Sequence, residues 1–386
     1  MGGNISHSTV LPQSIYSGAC LNKLSEVLLD ENVKKVIIVT DNGVRKSGLI
    51  DDIIEQISVS QVPYTIIDDV KPEPSYFDVD GIVQRANNSG ADMVIAIGGG
   101  SVMDSGKLFS LLSGTCTSVK DILKDQKGIR KTIKSIMIPT TCGTGSEATC
   151  NAIVAVPEED IKVAIVNKTM LPDFVFLDPS LIVNLPQHIL AATGVDALTH
   201  AVECYTSKKA NPLSDIFALA SAKLIFLNIK EAYSEASNMT AKENMLMGSF
   251  LGGAAITSSG TTAVHALSYP LGGKFHIPHG ISNAILFKHV MEFNFDHCHE
   301  KLAMICDAIN PSLASQNTFK RAEYILDLIE DIISYTQIPD SLRSYGVSDS
   351  DLDFIVNAAA NVTRLLSNNC KPISHDDIRK IYNKVM

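Results

Sequence analysis

Asp196 and His200 stand four residues apart in Gly194-Val195-Asp196-Ala197-Leu198-Thr199-His200-Ala201-Val202-Glu203. On a helix that interval puts both side chains on one face. It suits chelation of a divalent ion, and it suits an ordinary buried polar pair as well. Two more histidines lie in apolar, glycine-rich settings, in Val264-His265-Ala266-Leu267 and in His276-Ile277-Pro278-His279-Gly280. One carboxylate and three imidazoles complete a cage of the type that holds Fe(II) or Zn(II), with water or substrate taking an open position. His297-Cys298-His299 is also rich in ligand atoms, but adjacent residues on a helix point in different directions, and this polar segment reads as surface. His188, His289 and His375 have no partner at useful spacing and read as solvated or capping histidines.

A second set of residues suits phosphate. The apolar run from Ala91 to Ile97 leads into Gly98-Gly99-Gly100-Ser101, and a helical pattern follows from Val102 to Leu112. Glycines let backbone amides approach a pyrophosphate, and the positive end of the following helix stabilises its charge. A plain tight turn would account for the glycines alone. The segment is not a P-loop: Ser101 stands where glycine is needed before Gly106-Lys107, and Leu108 replaces the Ser or Thr that would bind magnesium. Nor does it match Gly-x-Gly-x-x-Gly. Pro139-Thr140-Thr141-Cys142-Gly143-Thr144-Gly145-Ser146-Glu147 follows a second strand-like run, Ser135 to Ile138. Ligands bind at such strand ends in open sheets, and threonine hydroxyls with freed amides suit a dinucleotide. Asp41 ends the run Val36 to Thr40. There it can bind an adenosine ribose and repel a 2′-phosphate, favouring NAD over NADP; capping of a following helix explains it equally.

The elements that position these residues follow from periodicity. Val36 to Thr40, Tyr64 to Ile67, Met93 to Ile97 and Ser135 to Ile138 alternate with longer amphipathic stretches, the pattern of βα units and a doubly wound parallel sheet. From Leu190 onward helical spacing dominates, as in Leu213 to Ala232, Thr240 to Ala255 and Lys320 to Tyr335. A boundary falls near Asn184-Leu185-Pro186, because proline disfavours helix just before itself. Residues 1–185 are therefore expected to form an α/β dinucleotide-binding domain, and 186–386 an all-α domain that binds metal and substrate.

The length of 386 residues exceeds what one core supports, in agreement with two domains. A net charge of -10 and no Lys/Arg cluster exclude a nucleic-acid partner. Apolar stretches are expected to fall short of the roughly 18 to 20 residues of a membrane span, and no secretory pattern opens the chain. A cytoplasmic enzyme is expected. Met1-Gly2-Gly3-Asn4-Ile5-Ser6 formally fits an acylation pattern, but with no polybasic patch nearby it is read as coincidence. The eight cysteines include no Cys-x-x-Cys pair and read as reduced, mostly buried thiols.

Taken in order, Gly98 to Ser101 with Asp104, Pro139 to Glu147, Gly194 to Glu203 and His276 to Gly280 resemble the iron-containing alcohol dehydrogenase family. Lesser echoes occur at Leu177-Asp178-Pro179 and Asn184-Leu185-Pro186, so the likeness spans nearly the whole chain. It implies a dehydroquinate synthase-like architecture, with metal and substrate in the cleft between an α/β and a helical domain. It implies that Asp196, His200, His265 and His279 hold the metal, and that Gly98, Gly99, Gly100, Ser101, Asp104, Thr140, Thr141, Thr144, Asn151 and Lys162 contact NAD. Two departures stand out. Tyr269 lies four residues after His265, where many relatives carry a second histidine, and Glu73 in Pro72-Glu73-Pro74 often is Asn. His265, Tyr269 and His276 are the candidates for catalysis and proton transfer.

The implied reaction is hydride transfer between NAD(H) and a small alcohol and its aldehyde or ketone, at a metal acting as Lewis acid. A dehydroquinate-synthase-like lyase would need cationic groups for an acidic phosphorylated substrate, and Lys274 is the main cation near the metal motifs. A non-catalytic dinucleotide-binding protein would have no use for four intact ligands. A homodimer or higher homo-oligomer is expected.

Overall fold

The computed structural model describes residues 7–159 and 161–386, and Met1 to Ser6, with their formal acylation pattern, lie outside the described residues. Contacts divide the described residues into two compact units, one of 10–185 and one of 186–386 together with 7–9.

The first unit is built on eight short strands: β1 (Ser14–Ser17), β2 (Val36–Val39), β3 (Tyr64–Ile67), β4 (Met93–Gly98), β5 (Lys134–Pro139), β6 (Asn151–Val156), β7 (Ile161–Val166) and β8 (Phe174–Leu177). Six of them form a sheet in the order β1-β8-β5-β4-β2-β3, parallel throughout. Strands in such a sheet are covered on both faces and so read as unbroken apolar runs. The VIIV of β2 and the FVFL of β8 are buried at every position. Period two then sorts the side chains: Ile37, Val39, Val94 and Ala96 enter one core, and Val36, Ile38, Met93, Ile95 and Ile97 the other. The expected α/β sheet is thus present. Sequence periodicity did not anticipate β1, β8 or the antiparallel hairpin of β6 and β7, which stands apart as a second sheet.

The second unit is helical, with no strand among the described residues. Its first helix, Gln187–Thr206, starts directly after Pro186. Pro212–Ser234 corrects one expectation, because it is long and apolar enough to cross a membrane by length and composition, with a mean hydropathy of 1.4. Its apolar character serves packing against Met239–Ser259: a Cβ on Gly248 would come within 2.7 Å of Ile225, and Ile225 and Ile229 are fully buried.

Candidate active site

Three helices of the second unit bring the predicted metal group together. Asp196 and His200 lie on Gln187–Thr206, His265 in the first turn of Ala263–Phe275, and His279 opens His279–Ile309. The approach of the last helix is set by Gly280, where a Cβ would lie only 2.1 Å from the Ala192 carbonyl oxygen. Asp196, His200 and His265 are almost fully buried, while the His279 side chain keeps 34% of its exposure.

One oxygen, Asp196 Oδ1, is the common vertex. It lies 3.8 Å from His200 Nε2, 3.7 Å from His265 Nε2 and 3.8 Å from His279 Nε2. Asp196, His265 and His279 are the compact part, with ligand atoms all within 4.8 Å of one another. His200 joins through Asp196 and stacks on the His265 ring at 4.6 Å. Bonds of about 2.0–2.2 Å to a tetrahedral ion hold donors roughly 3.5 Å apart, so the observed spacings are a few tenths wider. The nitrogen and oxygen donors suit Zn(II) or Fe(II) in hardness.

Two residues complete this site that sequence reasoning left without a role. Asn283, fully buried, places its amide nitrogen 2.7 Å from Asp196 Oδ1, 3.2 Å from His265 Nε2 and 3.3 Å from His279 Nε2. Several lone pairs thus converge on the positive end of one amide dipole, which is the electrostatic demand a cation meets. Glu203, also fully buried, accepts from His265 Nδ1 at 2.6 Å. Its carboxylate further accepts the Thr262 hydroxyl at 2.6 Å and the backbone amides of Thr262 and Val264. A carboxylate there requires Nδ1 to carry the proton, which leaves the Nε2 lone pair facing Asp196. Burial alone would raise both acids. The His200, His279 and His265 imidazoles and Asn283 outweigh it at Asp196, and His265 and Thr262 outweigh it at Glu203, so both stay below the usual carboxylate range. The signal for Glu203 was legible, since 196, 200 and 203 follow the i, i+4, i+7 stripe of a helix face.

Of the proton-transfer candidates, Tyr269 has its ring 6.2 Å from that of His279. Burial raises its phenol, against the opposing effect of Arg364, so Tyr269 Oη holds its proton at neutral pH. His276 is exposed and closes Ala263–Phe275 in a left-handed conformation, φ 54°. Lys274 pairs with Asp351 at 2.8 Å. In His297-Cys298-His299 the surface reading needs correction for Cys298, which is 2% exposed and faces inward.

In the first unit, the two glycine- and threonine-rich loops form one surface. Thr140 N–H donates to the Gly98 carbonyl at 3.0 Å. Thr144 packs so close to Gly100 that a Cβ there would meet Thr144 Cγ2 at 2.8 Å, and Thr141 lies 3.6 Å from where a Gly99 Cβ would stand. The helix Gly100–Leu112 begins with no side-chain cap, so its first amides point outward unblocked by a side chain, as anion binding needs. Asp41 Oδ1 caps the helix Asn42–Ser47 by accepting from Gly43 and Val44. Asp104 gives both oxygens to the protein, to Ser146 Oγ at 2.6 Å, Lys107 Nζ at 2.9 Å and Ile153 N–H at 2.9 Å. Lys107 is fully buried and also reaches the Ser146 and Asn151 carbonyls. These contacts tie the glycine helix to the threonine loop and to β6. Lys162 pairs with Glu73, whose N–H donates to Ser101 Oγ at 3.0 Å, so the departure at Glu73 engages two of the expected cofactor contacts.

Comparison with known proteins agrees with this layout. Residues 12–179 match the family described as iron-containing alcohol dehydrogenase, and 190–386 match the C-terminal part of the Fe-containing alcohol dehydrogenase family. A long-chain-alcohol dehydrogenase of Geobacillus thermodenitrificans is 34% identical over 96% of this chain and 94% of its own. A 1,3-propanediol dehydrogenase of Klebsiella pneumoniae is 33% identical over 87% of each chain. Among solved structures, a 1,3-propanediol oxidoreductase superposes with a TM-score of 0.92 at 29% identity, covering 99% of this chain and 100% of that one.

Proposed function

The chain belongs to the iron-containing alcohol dehydrogenase family, and from that premise we propose that it interconverts a small alcohol and its aldehyde or ketone with NAD(H), at a divalent ion held by Asp196, His200, His265 and His279. The observation that carries this reading is the convergence of three imidazole nitrogens on Asp196 Oδ1 within 3.8 Å, in a buried setting. Fe(II) and Zn(II) both suit the donors.

The ion, when bound, supplies Lewis acidity that polarises a carbonyl for reduction or stabilises the charge of an alcohol oxygen during oxidation. The chain's own residues prepare that chemistry. Glu203 fixes the His265 tautomer, and Asn283 orients Asp196. Tyr269 Oη, kept protonated by burial, is the group that holds a proton beside His279. Gly98 to Ser101 with Thr140, Thr141, Thr144 and Asn151 bind the dinucleotide, and Asp104 and Lys107 set the shape of that loop surface. NAD over NADP rests on Asp41, whose capping role leaves a carboxylate fixed at the end of β2.

A cytoplasmic setting belongs to this reading, supported by eight free thiols. So does a homo-oligomer, supported by the open outer edge of β1, where Ile15 is 40% exposed. Replacing His265 or His279 by Ala is expected to abolish stoichiometric metal binding together with NAD-linked turnover of short alcohols. Full metal content in both variants would overturn the ligand assignment.

A further inference from the structure

Cys298 and Cys370 come from separate elements that pack against each other. Cys298 lies on His279–Ile309, one turn beyond Asn294 on the same face. The segment 368–371 is laid against that face in a fixed register. Asn369 and Asn294, both fully buried, exchange amide hydrogen bonds of 2.8 and 2.9 Å. On the other side of Cys370, Lys371 Nζ donates to the Phe293 carbonyl at 3.0 Å and pairs with Asp296 at 3.0 Å. Held from both neighbours, Cys370 lies against the stretch of helix that carries Cys298, and the two thiols are near enough to shift one another.

The two sulfurs are unlike. Cys298 is 2% exposed, and Cys370 is partly open to solvent. The hydrogen bond from Cys298 lowers the Cys370 thiol, helped by the Lys371 amide and by Lys208, whereas that same bond and burial raise Cys298. A partly accessible thiol shifted towards its thiolate, beside a buried thiol that can resolve it, is the arrangement of a redox-sensitive pair.

We propose that Cys370 and Cys298 form a reversible disulfide when the protein meets a hydroperoxide. The Cys370 thiolate attacks one peroxide oxygen, giving a sulfenic acid and releasing hydroxide. The Cys298 sulfur then attacks the sulfenic sulfur; the S–S bond forms, the S–O bond breaks, and hydroxide leaves with the Cys298 proton as water. Two thiols are oxidised and one peroxide is reduced to water, taking up one solvent proton. The bond is placed to be felt at the metal group, because Asn368, two residues from Cys370, donates to the Thr261 carbonyl at 3.0 Å. Thr262 next to it holds Glu203, and Glu203 holds His265.

The test uses metal-loaded full-length protein treated with hydrogen peroxide, then alkylated without reductant and mapped by mass spectrometry. A peptide cross-linked through Cys298 and Cys370 is expected in most chains, with one thiol pair lost and regained on adding dithiothreitol. Cys298→Ser and Cys370→Ser each remove the cross-link, and Cys116→Ser, which deletes the exposed thiol of the first unit, leaves it unchanged. Oxidation confined to Cys116, or Cys370 passing to sulfinic acid while Cys298 stays alkylatable, overturns the proposal. Metal release to a chelator is expected to be several-fold faster from the oxidised form; equal rates overturn the link to His265. Both readouts are independent of alcohol turnover, so failure of the dehydrogenase reading would leave them standing.

Discussion

At the scale of single residues, the site is a set of donors and the groups that aim them. Asp196 and His200 were legible as a pair on a helix face, and Glu203 extends the same stripe by one more turn. Asn283 was not legible. Its importance comes from three helices meeting around its amide, a tertiary fact that no spacing within one helix encodes. Glu203 offers the sharper test, because it touches no ion and acts only through His265. Glu203→Gln keeps shape and burial but replaces a charged acceptor with a neutral one, and the Thr262 and Val264 amides that point at it lose their best partner. Loss of such a supporting carboxylate costs roughly 10–100-fold in metal affinity. Competition against a chromogenic chelator measures this directly, and an unchanged affinity would show that His265 is oriented by packing alone.

At the scale of elements, glycine and one buried acid carry the consequences. The helix His279–Ile309 reaches Gln187–Thr206 only because position 280 lacks a side chain, the would-be Cβ lying 2.1 Å from a backbone oxygen that cannot move aside. Gly280→Ala must push the two helices apart at the residue after His279. Overpacking of this type costs about 1–3 kcal/mol and sometimes more. Urea unfolding is expected to show that loss together with weakened metal retention; stability within experimental error of the parent would mean the helices can slide. The sequence displayed Gly280 plainly, but what it packs against only the fold reveals. In the other unit, Glu147 closes the threonine loop. It is 1% exposed, and burial pushes it up to about 7 against the attraction of Lys107. Its unfolded value is near 4.5, so the native state binds the proton more tightly. The resulting stability is fully present below about pH 4.5 and is lost as pH rises through about 7, of order 3 kcal/mol in all. Glu147→Gln removes that dependence. The difference in urea midpoint between parent and variant should therefore grow in favour of Gln between pH 5 and about 7; a difference flat across that range would mean Glu147 is solvated in solution.

At the scale of the whole molecule, the change from short β-branched runs to helical spacing foretold one sheet-based and one helical unit, because burial on both faces of a parallel sheet leaves unbroken apolar runs while helices show stripes. What escaped notice were β8, a buried run of only four residues, and the edge strand β1 and the hairpin of β6 and β7, whose half-exposed positions alternate too briefly to stand out. On the proposed assignment the two ligands draw on different stretches of chain. The metal donors all fall within 196–279 and the glycine and threonine loops within 98–147. A ligand that binds only the native state stabilises it by RT ln(1 + [L]/Kd), about 2.7 kcal/mol at a hundredfold excess over Kd, and the protection from amide exchange is largest where its contacts are. Hydrogen exchange should accordingly show metal slowing Gln187–Thr206 and Ala263–Phe275 most, and NAD slowing the ends of β4 and β5 and the first turn of Gly100–Leu112 most. The reverse distribution, or NAD protection centred on residues 186–386, would overturn the assignment of the dinucleotide to the sheet unit.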